Sequence, residues 1–191
     1  MQSLTVDFNS IIDLTDEQFY QLCQKNQNLR FERNSTGEII IMPPVGGESS
    51  NRNGRINQKL FNWSDKDGTG IAFDSSGGFK LPNGADRSPD ASWVKLDRWN
   101  ELTPEQKTKF LPIAPDFVIE LLSPSDSLKK TQEKMEEYIN NGVRLGWLIN
   151  RKNRQVEIYR VGKEVEILDN PESLNGEDIL PDFILDLEMI W

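Results

Sequence analysis

The chain contains no histidine and a single cysteine, Cys23, among its 191 residues. These two scarcities remove an ordinary zinc site, a Ser-His-Asp triad, a Cys-His dyad and any internal disulfide framework. No apolar run approaches the roughly 20 residues of a membrane span, and the first residues lack the basic and apolar regions of a secretory leader, so the expected location is the cytoplasm. Cations are also in the minority: 22 Lys and Arg stand against 31 Asp and Glu, for a net charge of −9. That balance argues against strong nonspecific attraction to a polyanion, while leaving room for a local basic groove.

What remains is a soluble globular composition, 36% apolar and 28% charged. No repeat, low-complexity segment or linker divides it, so one domain over residues 1–191 is expected. Without histidine, chemistry falls to Asp, Glu, Lys, Ser or Tyr, with a hard oxygen-liganded cation such as Mg²⁺ as the natural helper.

The organising stretch is Ile113 to Leu122, whose β-branched and aromatic residues predict a central strand buried on both faces. On a period of two, Val118, Glu120 and Leu122 share a face, so a carboxylate sits among apolar neighbours. An ionised group there is costly unless a cation, a hydrogen-bond network or a metal meets it. Asp116 lies roughly 13 Å away along an extended strand and is expected to shape the strand's start after Pro115.

Around that strand, residues 15–25 read as a helix with Cys23 on its packed side, and Leu29–Glu32 with Glu38–Met42 read as a hairpin. The stretch from Glu48 to Asp65 predicts a helix with Gly54 as its weak spot; Glu48 either complements the helix dipole or joins a metal site. Short strands are expected on both sides of the Ser75–Gly78 turn, and Asp90 begins a further strand. Thr103-Pro104-Glu105 marks a helix start.

After the central strand, residues 127–140 form a helix in which Leu128, Met135, Tyr138 and Ile139 share one side, with Lys134 on the flank and Lys130 outward. Arg144–Asn150 returns as a strand. A hairpin then follows, in which Glu157 and Tyr159 are expected on an exposed face, and the tail from Ile179 to Trp191 packs on the core or on a second subunit.

If the strand beginning at Asp90 pairs antiparallel with the central strand, Asp90 meets Glu120. The long side chain of Lys134 reaches back toward the same point. Two carboxylates suited to Mg²⁺ and one lysine suited to positioning water or stabilising charge point to phosphoryl chemistry. Singly, each residue has a plainer explanation: Asp90 a turn cap, Glu120 and Lys134 a buried ion pair.

The ordered series Arg87-Ser88-Pro89-Asp90, Pro115-Asp116-Phe117-Val118-Ile119-Glu120, and Glu133-Lys134-Met135 with Tyr138 and Gly142–Ile149 resembles the Uma-type endonuclease family of the PD-(D/E)XK nuclease superfamily. The resemblance spans about residues 42–160. It implies an α/β (α+β) restriction-endonuclease-like fold, a mixed β-sheet flanked by helices, and Mg²⁺- or Mn²⁺-dependent cutting of DNA by a homodimer. By position, Asp90 matches the motif aspartate and Glu120 the second acid. Leu122 stands where the superfamily usually carries lysine, and Lys134 matches this family's helical lysine. Glu48 resembles the extra metal-binding carboxylate of the first core helix. The implied site is therefore Asp90, Glu120 and Lys134, with metal at Asp90, Glu120 and Glu48. Two other readings stand beside it: an inactive nuclease-fold binding module, and an interaction protein using its Trp-rich C-terminal half. A basic strip beside Asp90 and Glu120, from Arg52, Arg55, Lys80 and Arg87, would favour the endonuclease.

Overall fold

Alternating and continuous apolar runs separate into two kinds of strand, and these form two larger sheets in the computed structural model, which describes residues 3–8 and 11–191. β1 (Leu4–Val6) leads to α1 (Asp16–Lys25), whose start is secured by a reciprocal Thr15–Gln18 capping box. The predicted hairpin forms from β2 (Arg30–Arg33) and β3 (Ile39–Met42). Next, α2 (Gly47–Asp67) runs through Gly54 and stops at Gly68, whose φ of 72° is the left-handed conformation that ends helices.

β4 (Gly70–Asp74), β5 (Phe79–Lys80), β6 (Asp86–Arg87) and β7 (Ala91–Lys95) follow, then two short helices, α3 (Leu96–Asn100) and α4 (Pro104–Lys107). β8 (Phe117–Leu121) is the central strand, buried at every residue. It is followed by α5 (Leu128–Asn140), capped by Ser127, and by β9 (Leu145–Asn150). β10 (Gln155–Arg160), β11 (Glu166–Asp169), β12 (Ser173–Asn175) and β13 (Ile184–Asp186) complete the chain.

The principal sheet has the order β11-β10-β9-β8-β7-β4; a second has the order β1-β3-β2-β6-β5. β8 pairs parallel with β9 and antiparallel with β7, making the sheet mixed. The parallel pair requires a crossover, and α5 supplies it. The strands flanking Ser75–Gly78 do not pair with each other: β4 joins β7 in the principal sheet, whereas β5 joins β6 in the second. The turn carries the chain between sheets.

One face of the principal sheet packs Phe117, Ile119 and Trp147 against Ile56 and Leu60 of α2 and against the tail. Trp147 stacks on Phe183 at 5.9 Å, and Phe117 meets Trp147 edge-on at 4.8 Å. The opposite face packs Val118 and Leu148 against Met135 and Tyr138 of α5. Gly146 allows this close approach, because a Cβ there would lie 2.5 Å from Met135 Cε. Each buried large side chain contributes on the order of 1.5–3 kcal/mol, so the sheet and α5 hold their register firmly.

Glu157 and Tyr159 depart from expectation. Both are buried, and Tyr159 Oη donates to Glu157 Oε2 at 2.6 Å while Gln132 Nε2 donates to Glu157 Oε1 at 2.7 Å. Alternation identifies a two-faced strand without saying which face is covered; here α5 covers the polar one.

Candidate active site

The register that sets Ala91 opposite Ile119 carries Asp90, one residue earlier, to the position opposite Glu120. Asp90 is then fixed from two elements. Its Oδ2 accepts from the Leu121 amide at 2.8 Å and its Oδ1 from Asn53 Nδ2 of α2 at 2.7 Å. Asn57 Nδ2 adds a bond to the Asp90 carbonyl at 2.9 Å. Sequence reading passed over these two asparagines, although their spacing of four on a helix places them on one face.

Glu120 is buried on the α5 side of the sheet. Its Oε1 receives Lys134 Nζ at 2.8 Å and Tyr138 Oη at 3.0 Å. Both donors come from α5, because positions 134 and 138 are one turn apart. Among the described residues, Glu120 Oε2 makes no hydrogen bond. Lys134 Nζ also lies 2.8 Å from Glu32 Oε1 on β2.

Glu32 is the site's unanticipated member. It is 2% exposed, and its Oε1 accepts from the Ser88 amide at 3.0 Å while its Oε2 faces Arg87 Nη1 at 3.1 Å. Arg87 continues to Glu137 at 2.6 Å. Charges therefore alternate along Glu137, Arg87, Glu32, Lys134 and Glu120, with Asp90 beyond. Four carboxylates share two cations.

The electrostatics follow from that imbalance. Burial pushes the Glu120 carboxyl up to about 7, with Asp90 and Glu32 adding to the rise and Lys134 opposing it. Burial likewise raises Asp90, against the Leu121 amide and Lys134. Glu32 is also desolvated, but Lys134 and Arg87 outweigh this and lower it. Lys134 is desolvated too, yet Glu120 and Glu32 raise its pKa, so it is a persistent cation and a poor general base.

The remaining expectations fall outside this cluster. Glu48 lies in the first turn of α2, but its side chain is 80% exposed and held at 3.2 Å by both Arg52 and Arg151. No group of three or more acidic or cysteine side chains forms a metal-binding set among the described residues. Asp116 serves the strand start as expected, accepting from the Lys95 amide and pairing with Arg98 at 2.9 Å. The basic strip does not assemble. Arg52 and Arg55 line a depression with Glu48, Asn51 and Met189, whereas Lys80 pairs with Asp16 and Arg87 is enclosed between carboxylates.

A divalent cation nevertheless fits the Asp90–Glu120 pair. The donors are hard oxygens, they carry the unbalanced negative charge, and Glu120 Oε2 has a free acceptor face. Two buried acceptors beside Asp90 lack partners as well: Asn57 Oδ1 on α2, and Ser92 Oγ two residues along β7.

No helix among the described residues is long and apolar enough to cross a membrane. No curated protein matches the chain. A crystal structure described as a putative nuclease belonging to DUF820, from Anabaena variabilis ATCC 29413, is similar with a TM-score of 0.76 and 22% identity. The match covers 93% of this chain and 97% of that one, and at this identity it establishes the shared fold. The family Uma2, described as "Putative restriction endonuclease", matches residues 16–188. With that match covering nearly the whole sequence, the chain belongs to the Uma2 family of restriction-endonuclease-like proteins.

Proposed function

We propose that this protein is a Mg²⁺- or Mn²⁺-dependent endonuclease that hydrolyses DNA phosphodiester bonds. The observation that carries the reading is Lys134 Nζ at 2.8 Å from Glu120, opposite Asp90. Leu122 leaves the usual strand position without a cation, and α5 delivers one to the same carboxylate from another backbone site.

Asp90 and Glu120 would hold the cation, which supplies Lewis-acid polarisation and activation of water. The chain's own residues prepare that pair. Asn53 and the Leu121 amide fix the Asp90 carboxylate, Tyr138 fixes Glu120 Oε1, and Lys134 contributes a permanent positive charge that stabilises the charge developing on phosphate oxygens. Glu48 is left out of the metal set, because Arg52 and Arg151 already engage it.

The test is cutting of supercoiled plasmid with Mg²⁺ or Mn²⁺ against chelator, comparing the native chain with Glu120→Gln. Metal-dependent cutting that disappears in Glu120→Gln is the expected result. No cutting by the folded, metal-supplied native chain favours the binding-module alternative, with Leu122 as the reason. Nicked circles that precede linear product indicate one site acting at a time, whereas direct linearisation supports a homodimer.

A further inference from the structure

Lys134 has two acceptors, and only one of them belongs to the Asp90–Glu120 pair. Glu32 sits at the same 2.8 Å from Lys134 Nζ as Glu120 does. It reaches that point from the second sheet, 102 residues earlier in the chain. The carboxylate is immobilised before Lys134 is considered: Arg87 holds Oε2, and the Ser88 amide holds Oε1. The register pairing Arg33 with Asp86 also sets Glu32 opposite Arg87. Held by Arg87 and the Ser88 amide, the buried carboxylate still presents Oε1 to the lysine.

We propose that Glu32 is the positioning residue for Lys134: its carboxylate holds the ammonium beside Glu120 and retains it when a divalent cation occupies the Asp90–Glu120 pair. This rests on the metal-dependent reading of the same site. Lys134 is bonded to the very carboxylate that would bind the cation, and like charges repel. Without a second acceptor, the ammonium would have to keep hold of Glu120 or swing out of a largely enclosed position. Glu32 supplies a place for the charge that keeps it within reach of the reacting phosphate. Through Ser88, two residues before Asp90, the same carboxylate also steadies the segment that presents Asp90.

A simple structural tie makes a different prediction, because Glu137 is the other end of the same ion chain and touches Arg87 without touching Lys134. The full-length native protein, Glu32→Gln, Glu32→Asp and Glu137→Gln should be compared by plasmid-cutting kcat and KM and by Mn²⁺ affinity from calorimetry. Glu32→Gln should lower kcat at least tenfold with KM within twofold and should weaken Mn²⁺ about tenfold. Glu32→Asp should recover part of both, and Glu137→Gln should leave both near native. Native behaviour in Glu32→Gln, or equal losses in Glu32→Gln and Glu137→Gln, overturns the assignment. A native chain that neither binds Mn²⁺ nor cuts removes the underlying reading and this one together, whereas a native chain that cuts beside an unaffected Glu32→Gln removes this one alone.

A measurement that needs no variant at position 32 guards against misfolding. In native protein with ¹⁵N-labelled lysine, the Lys134 ammonium signal should stay protected from solvent exchange as Mg²⁺ is added. Loss of protection on adding Mg²⁺ overturns the proposal.

Discussion

Lys134 Nζ and Glu120 Oε1 lie 2.8 Å apart although they are 14 positions apart in sequence and a turn intervenes between strand and helix. The contact exists because β8 and α5 belong to one parallel crossover, in which the helix must lie back across the strand it follows. Leu122, two residues beyond Glu120, is thereby free to pack with the apolar cluster under α5.

Replacing Lys134 tests that contact most directly. Lys134→Met keeps much of the side-chain volume and removes the charge, leaving Glu32 and Glu120 without their shared cation. The expected loss is on the order of 10²-fold or more in kcat, as for other groups that stabilise transition-state charge. Because breaking a buried pair leaves a charge uncompensated, stability should fall by about 3 kcal/mol. Single-turnover cutting and urea denaturation measure the two separately.

The raised Glu120 carboxyl has a definite pH signature. Its folded value of about 7 exceeds the unfolded 4.5, so its contribution favours the fold below the unfolded value and disappears as pH rises through about 7. Glu120→Gln should therefore gain stability relative to the native, metal-free protein as pH rises from 4.5 to 8. Thermal midpoints in chelator across that range check this. A native-to-variant difference independent of pH would count against the burial argument. Mn²⁺ affinity of the native chain should rise across the same interval, since a protonated carboxyl is a poor ligand.

Glu48 offers the converse test. An exposed carboxylate paired with two arginines contributes little, typically under about 1 kcal/mol. Glu48→Gln should leave Mn²⁺ affinity within twofold of native and barely change the urea midpoint. A tenfold loss of affinity would return Glu48 to the metal set.

Gly146→Ala probes the seat of α5. The added methyl would meet Met135 Cε at 2.5 Å and Val118 Cγ2 at 3.3 Å. Met135 Cε is the far end of a flexible side chain, so the closer clash is relieved by Met135 turning aside within the core while α5 keeps its seat. Overpacking of this kind costs about 1–3 kcal/mol. Denaturation should register a loss at the lower end of that range, and cutting should stay near native under conditions where the variant remains folded.

Sequence periodicity was enough to set Glu120 into a buried strand, to bring Asp90 opposite it through antiparallel pairing, and to place Lys134 on the flank of the α5 stripe. These are short-range inferences: each needs only one strand pair or one helix phase. The helix α1, the hairpin of β2 and β3 and the long α2 were legible for the same reason. Tertiary structure alone decided the partners that come from afar. Glu32 reads as an ordinary polar strand residue until two sheets meet over it, and Glu157 looks solvent-facing until α5 lies across β10. Glu48 could lean either way at the start of α2, and in the fold it is exposed and paired with Arg52 and with Arg151, which follows β9. Local pattern sets which residues share a face, but which element covers that face, and which charge it brings, is settled only when strands distant in the chain pack together.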